Sequence, residues 1–118
     1  MSIASDLLRG STDTIILAHL LKGDSYAYEI NKNILRKSGG SFEFKEATLY
    51  TAFRRLEQSG CISSYWGDEE TGARRRYYTI TTIGRNTFYQ NQKEWQNARE
   101  LIDSLVGIGE DTDGKQDK

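Results

Sequence analysis

A mostly α-helical fold with one small β-hairpin is predicted for this 118-residue chain by three observations. Four stretches place apolar residues at helical spacing. Two β-rich runs flank a polar loop bounded by glycines. No proline occurs, so Gly, Ser, Asp and Asn must mark the element ends.

The first helix is expected from Ile3 to Leu21, where Leu7, Thr14, Ile15, Leu17, Ala18 and Leu21 recur at helical spacing, with a break or bend at Gly10-Ser11. Lys22-Gly23-Asp24-Ser25 then forms a turn. Ser25 is the expected N-cap of a second helix reaching Lys37, on which Tyr26, Ile30 and Ile34 share one face. Ser38 to Ser41 ends that helix. A third helix spans about Lys45 to Gln58, with Leu49, Ala52, Phe53 and Leu56 inward and Gly60 as its stop. The runs Ile62–Trp66 and Arg74–Thr81 form the hairpin, and Ile83 to Val106 is the longest helix. Three short helices followed by a hairpin make a winged helix-turn-helix. The expected organisation is a head over 1–82, a C-terminal helix over 83–106 and a disordered acidic tail over 107–118.

Several classes of function are disfavoured. The single cysteine, Cys61, cannot form an internal disulfide or, alone, a thiolate metal site. His19 has no Cys, His or acid at metal-ligand spacing, so it is expected to be a surface or core residue. No phosphate-binding glycine loop, nucleophile elbow or paired-carboxylate arrangement is present, so no enzyme, cofactor or metal is expected. Met1 to Arg9 lacks signal-peptide character, and no apolar run approaches the ~20 residues that cross a bilayer. A cytoplasmic protein without a membrane partner is expected.

The net charge of −1 conceals an uneven distribution. Between Phe44 and Arg85 stand seven basic residues and five acids; from Asn86 onward there are four basic residues and seven acids. Opposite its apolar stripe, the third helix carries Thr48, Thr51, Arg54 and Arg55, and Thr48, Tyr50 and Thr51 near its start suit bases or phosphates. Lys45, Arg54 and Arg55 suit phosphates. An ordinary solvated helix face has the same composition, so the hairpin decides. Arg74, Arg75 and Arg76 adjoin where the second strand leaves the loop, and three neighbouring guanidiniums repel unless an anion compensates them. A phosphate backbone supplies that anion; so, within the chain, would Asp68, Glu69 and Glu70. Helix and hairpin together favour double-stranded DNA.

The last helix places Phe88, Trp95 and Ile102 at intervals of seven, with Ala98 and Leu105 between them. That spacing makes a seam for another helix. Burying it would contribute on the order of 10 kcal/mol before entropy. The same helix of a second copy, with that copy's first helix, is the expected partner.

The run Ala47-Thr48-Leu49-Tyr50 through Arg54-Arg55-Leu56-Glu57, then Gly60, Ile62, Trp66, Gly72, Arg75-Arg76-Tyr77-Tyr78 and Thr81 to Gly84, resembles the PadR family of bacterial transcriptional regulators. The resemblance extends from about Leu8 to Leu105. The single C-terminal helix is like that of the short subfamily, and Glu46 to Gly84 is similar to its multidrug regulators. Departures lie at Tyr26-Ala27-Tyr28, where many members have His-Gly-Tyr, and at Ala73, where many have proline. The resemblance implies a homodimeric repressor, recognition helices in adjacent major grooves of a palindromic operator, and wings on the backbone or minor groove. It further implies that Trp95 of both copies could stack planar aromatic drugs at the dimer centre. Arg99, one turn on, would line the same site and is not an acid, so a site for cationic drugs would have to draw its charge from Glu94, Glu100 or Asp103. A winged-helix module for protein partners and a repressor without a small ligand are the competing functions.

Overall fold

The structure, a computed structural model, describes residues 7–8, 10–67 and 74–107. The element order is α1 (Thr12–Leu20), α2 (Ala27–Lys37), α3 (Glu46–Gln58), β1 (Ile62–Trp66), β2 (Arg76–Ile80) and α4 (Thr82–Val106). The mostly α fold with one hairpin is as the sequence predicts. The tail at 108–118, the wing tip at 68–73 and the expected helix start at Ile3 lie outside the described residues.

Helix α1 begins after a turn at Ser11, where the sequence suggests a break. Of the residues that recur at helical spacing, Leu17 is buried, together with Thr12, Ile16 and Leu20, while Ile15, Ala18 and Leu21 pack against the edge of the core. The segment is apolar on most sides, so spacing alone does not select its inner face. One correction concerns Ser25. The N-cap of α2 is Tyr26, and Ser25 is instead an isolated β-bridge to Tyr78, with N–H···O bonds of 3.2 and 2.8 Å. Its hydroxyl donates to Glu29 Oε1 at 2.5 Å.

Helix α3 lies within one residue of its expected bounds, with Lys45 as N-cap. Gly60, at φ 79°, closes it. The Gly60 N–H bonds the Glu57 carbonyl at 3.0 Å and the Cys61 N–H reaches Leu56 at 2.9 Å, satisfying the last-turn carbonyls. The antiparallel register pairs Ile62 with Ile80, Ser64 with Tyr78 and Trp66 with Arg76. Ile62, Tyr78 and Ile80 therefore face the core on one side of the pleat.

Thr81 starts α4. Its hydroxyl donates to the Gly60 carbonyl at 2.6 Å, with the Cys61 carbonyl 3.0 Å away, and accepts the Gly84 N–H at 3.1 Å. Gly84 lies so close to the strand that a Cβ there would stand 2.1 Å from the Cys61 carbonyl oxygen.

The chain divides into two compact units, Met1–Phe88 and Tyr89–Lys118. The first holds one core, contributed by Ile16, Leu17 and Leu20 of α1, Ile30 and Ile34 of α2, the α3 stripe, Phe44, Cys61, the hairpin and Phe88. Phe88, assigned by sevenfold spacing to an interchain seam, is 6% exposed in its own chain's core. The first two turns of α4 therefore belong to the head. In the second unit the described α4 residues are exposed except for the half-buried Asn91 and Asp103.

Candidate nucleic-acid interface

With Leu49, Ala52, Phe53 and Leu56 turned inward, the helical period brings Ala47, Thr51, Arg54 and Gln58 to the opposite, exposed face of α3. Tyr50, 43% exposed, flanks them on one side and packs edge-on against Phe53 at 5.8 Å. Thr48 is half-buried, and Lys45 is exposed at the cap. Ala47 and Gln58 were not among the sequence-predicted contacts. Their spacing of four and seven residues from Thr51 marks them as members of the same stripe.

Arg55 stands apart. Its Nε donates to Asp13 Oδ2 at 3.1 Å and its Nη2 bonds Asp13 Oδ1, so the guanidinium edge joins α3 to α1. The carboxylate holds the guanidinium above its ordinary pKa. No local pattern shows this pair, because the partners are 42 residues apart in sequence.

The start of α3 is set by a clamp that sequence reasoning did not find. Asn31 of α2 donates from Nδ2 to the Phe44 carbonyl at 2.6 Å, and its Oδ1 accepts the Phe44 N–H at 2.9 Å. Phe44 itself is buried. Both polar groups of one buried backbone unit are thereby satisfied immediately before Lys45 caps α3. The other end is tied to the hairpin through Glu57, which accepts from the Ser64 hydroxyl at 2.7 Å and lies 3.6 Å from Arg76 Nη2. Phe53 stacks on Tyr78 at 4.0 Å between centroids, and burial pushes the Tyr78 phenol above its ordinary pKa.

At the hairpin end, Arg74, Arg75 and Arg76 are exposed. Arg74 and Arg76 both lie over the Trp66 ring, at 5.4 and 5.7 Å, and Arg75 lies over Tyr26 at 4.8 Å. The alternation expected of a strand is kept, since Arg74 and Arg76 share one side while Arg75 and Tyr77 meet Tyr26 on the other. Tyr77 also stacks on Tyr65 at 5.6 Å, and the Tyr65 hydroxyl donates to Asp24 Oδ2 at 2.6 Å. That bond raises the Tyr65 pKa.

An open cleft of about 240 Å³ is lined by the ends of α1 and α2 and the turn between them, among them His19, Lys22, Asp24, Arg36 and Lys37. His19 bonds the Ile15 carbonyl through Nδ1, 3.1 Å away, and desolvation lowers its pKa. No group of three His, Cys, Asp or Glu that could hold a metal occurs among the described residues. No described helix is long and apolar enough to cross a membrane.

A three-helix head with a short-side-chain, cationic face on its third helix and an arginine-bearing hairpin defines a winged-helix regulator of transcription. Residues 16–90 match the model of the transcriptional regulator PadR-like family, and the chain belongs to that family. PadR regulators are DNA-binding regulators and not enzymes. Among solved structures, a transcriptional regulator from Clostridium thermocellum is 50% identical, with TM-score 0.81, covering 89% of this chain and 99% of that one. A PadR family transcription regulator from hypervirulent Clostridium difficile is 32% identical, with TM-score 0.70, covering 81% and 98%. A Lysinibacillus sphaericus protein bearing only the name "Uncharacterized protein X" is 44% identical over 104 residues, covering 88% of this chain and 95% of that protein.

Proposed function

We propose that this chain is a homodimeric repressor that binds a palindromic operator. Two copies join through α4 beyond Phe88, along Trp95, Ala98, Ile102 and Leu105. Each α3 enters a major groove, the two separated by about 34 Å, one turn of B-DNA. Thr48, Tyr50, Thr51 and Arg54 meet bases or phosphates, Lys45 meets phosphate, and Arg74, Arg75 and Arg76 grip the backbone or minor groove beside it. Arg55 can contribute only while shared with Asp13, so its part is the smallest.

The observation that supports this most is the pairing of two exposed features on one head: the polar stripe of α3 and the three hairpin guanidiniums. The test is duplex titration over a range of salt. Log affinity should fall with log salt by about 0.9 per phosphate contact, and replacing Arg74, Arg75 and Arg76 together by Ala should flatten that slope by roughly one unit per lost contact. A salt-independent affinity would leave the head as a module for protein partners.

Stacking of a planar aromatic compound between the two Trp95 rings, relieving repression, completes the proposal, and it follows the resemblance to the family's short multidrug regulators. One observation favours a repressor without such a ligand: the Arg99 guanidinium already lies 5.8 Å over the Trp95 ring. Quenching of Trp95 emission by planar dyes, absent in Trp95→Phe, separates the two.

A further inference from the structure

Trp66 ends β1 opposite Arg76 and is 53% exposed, so it is not part of the head's core. Its ring is met by cations: Arg74 at 5.4 Å and Arg76 at 5.7 Å, both over its face. These are the side chains that the proposed function directs at phosphate; Nη2 of Arg76 also lies 3.6 Å from Glu57 Oε1, so the remaining N–H groups of its edge are the ones offered.

The contrast with Arg55 shows what a ring does that a carboxylate does not. Asp13 occupies the hydrogen-bonding edge of the Arg55 guanidinium. Stacking on an aromatic occupies the face of a guanidinium and leaves its N–H edge to bond an anion. The ring's negative face also offsets repulsion between neighbouring cations before any phosphate arrives. A long side chain already held loses less freedom on binding than one sampling solvent.

We infer that Trp66 is a positioning residue for the wing, holding Arg74 and Arg76 by their faces so that their edges are presented to the phosphate backbone. The inference rests on the DNA-binding function proposed above, and its test separates the two. The full chain is titrated with a mixed-sequence duplex about two turns long. Trp66→Leu should weaken binding roughly 5- to 30-fold with the salt slope unchanged, since both arginines remain. Trp66→Phe, which keeps a smaller ring face, should recover most of that loss. In an Arg74→Ala/Arg76→Ala background, Trp66→Leu should have no further effect. A loss that persists there would mean that Trp66 touches DNA itself, and an unaltered affinity in Trp66→Leu would mean that it positions nothing; either overturns the inference. Without any DNA, the δ-protons of Arg74 and Arg76 should be shifted upfield by the indole ring current and return to ordinary positions in Trp66→Leu. Unshifted protons in the wild-type chain overturn the inference. Shifted protons in a chain that shows no salt-dependent DNA binding support the stacking and sink the proposed function alone.

Discussion

In α3 the apolar stripe of Leu49, Ala52, Phe53 and Leu56 is buried by its own chain, whereas past Phe88 the α4 stripe of Trp95, Ala98, Ile102 and Leu105 is exposed throughout. Both stripes recur at three- and four-residue spacing, and both would be drawn as one side of an amphipathic helix. The difference lies in what surrounds them. Around α3 stand α1, α2 and a hairpin whose Tyr78 stacks on Phe53 of α3. In the second half of α4, Trp95 is 52% exposed and Leu105 75%. Such a patch is costly to leave in water, at about 25 cal/mol for each Å². Periodicity states that a face will be buried and is silent about which chain buries it.

The sharpest way to break the closed side of this comparison is Gly84→Ala. A Cβ would stand 2.1 Å from the Cys61 carbonyl oxygen and 2.7 Å from Ile80 Cγ1. The backbone contact cannot be relieved by a rotamer change, so α4 must leave the hairpin. The expected loss is about 3 kcal/mol, at the upper end for overpacking, read from urea unfolding followed by circular dichroism. An unchanged midpoint would mean that the close approach of α4 to the strand end is not maintained.

The open side is broken by charge. In the proposed dimer, Ile102→Glu with Leu105→Glu should raise the dimer dissociation constant at least about 100-fold, given the apolar burial each aliphatic would lose. Both side chains are exposed in the single chain, so the head should keep its near-UV spectrum. Sedimentation at micromolar concentration reads the effect. A wild-type chain that already sediments as a monomer would remove the dimer, and with it the spacing of two recognition helices.

Much of the head was legible in sequence because its elements announce themselves locally. The α3 stripe, its stop at Gly60 and the strand runs on either side of the wing each depend on residues within one element. The misses are long-range. Ser25 has the chemistry of a helix cap, but Tyr78 offers it a strand partner instead. The 25-residue α4 carries a regular sevenfold repeat, yet Gly84 allows its first turns close enough to the hairpin for Phe88 to enter the head's core. At the candidate interface the identity of the cationic residues was legible, and their constraints were not: Arg55 is shared with Asp13, and the wing arginines lie over rings supplied by β1 and by the start of α2. The Asn31 clamp on Phe44 is of the same kind, since an asparagine in mid-helix has the same local signature whether it meets solvent or a distant peptide group.

That clamp gives the finest test of how the closed side serves the interface. Asn31 holds both the carbonyl and the N–H of Phe44, and the next residue, Lys45, caps α3. Asn31→Ala removes both bonds and leaves a buried peptide unit unpaired, which should destabilise the head by about 1–3 kcal/mol. Asn31→Asp keeps the acceptor for the Phe44 N–H and loses the donor to its carbonyl, so it should fall between wild type and Asn31→Ala. If the clamp also orients the recognition helix, DNA affinity measured well below the unfolding midpoint should follow the same order, while the salt slope stays fixed because no phosphate-binding side chain has changed. A stability loss with unaltered affinity would restrict Asn31 to holding the α2–α3 connection. The orientation of α3 would then rest on its Glu57 ties to Ser64 and Arg76 and on the core beneath it.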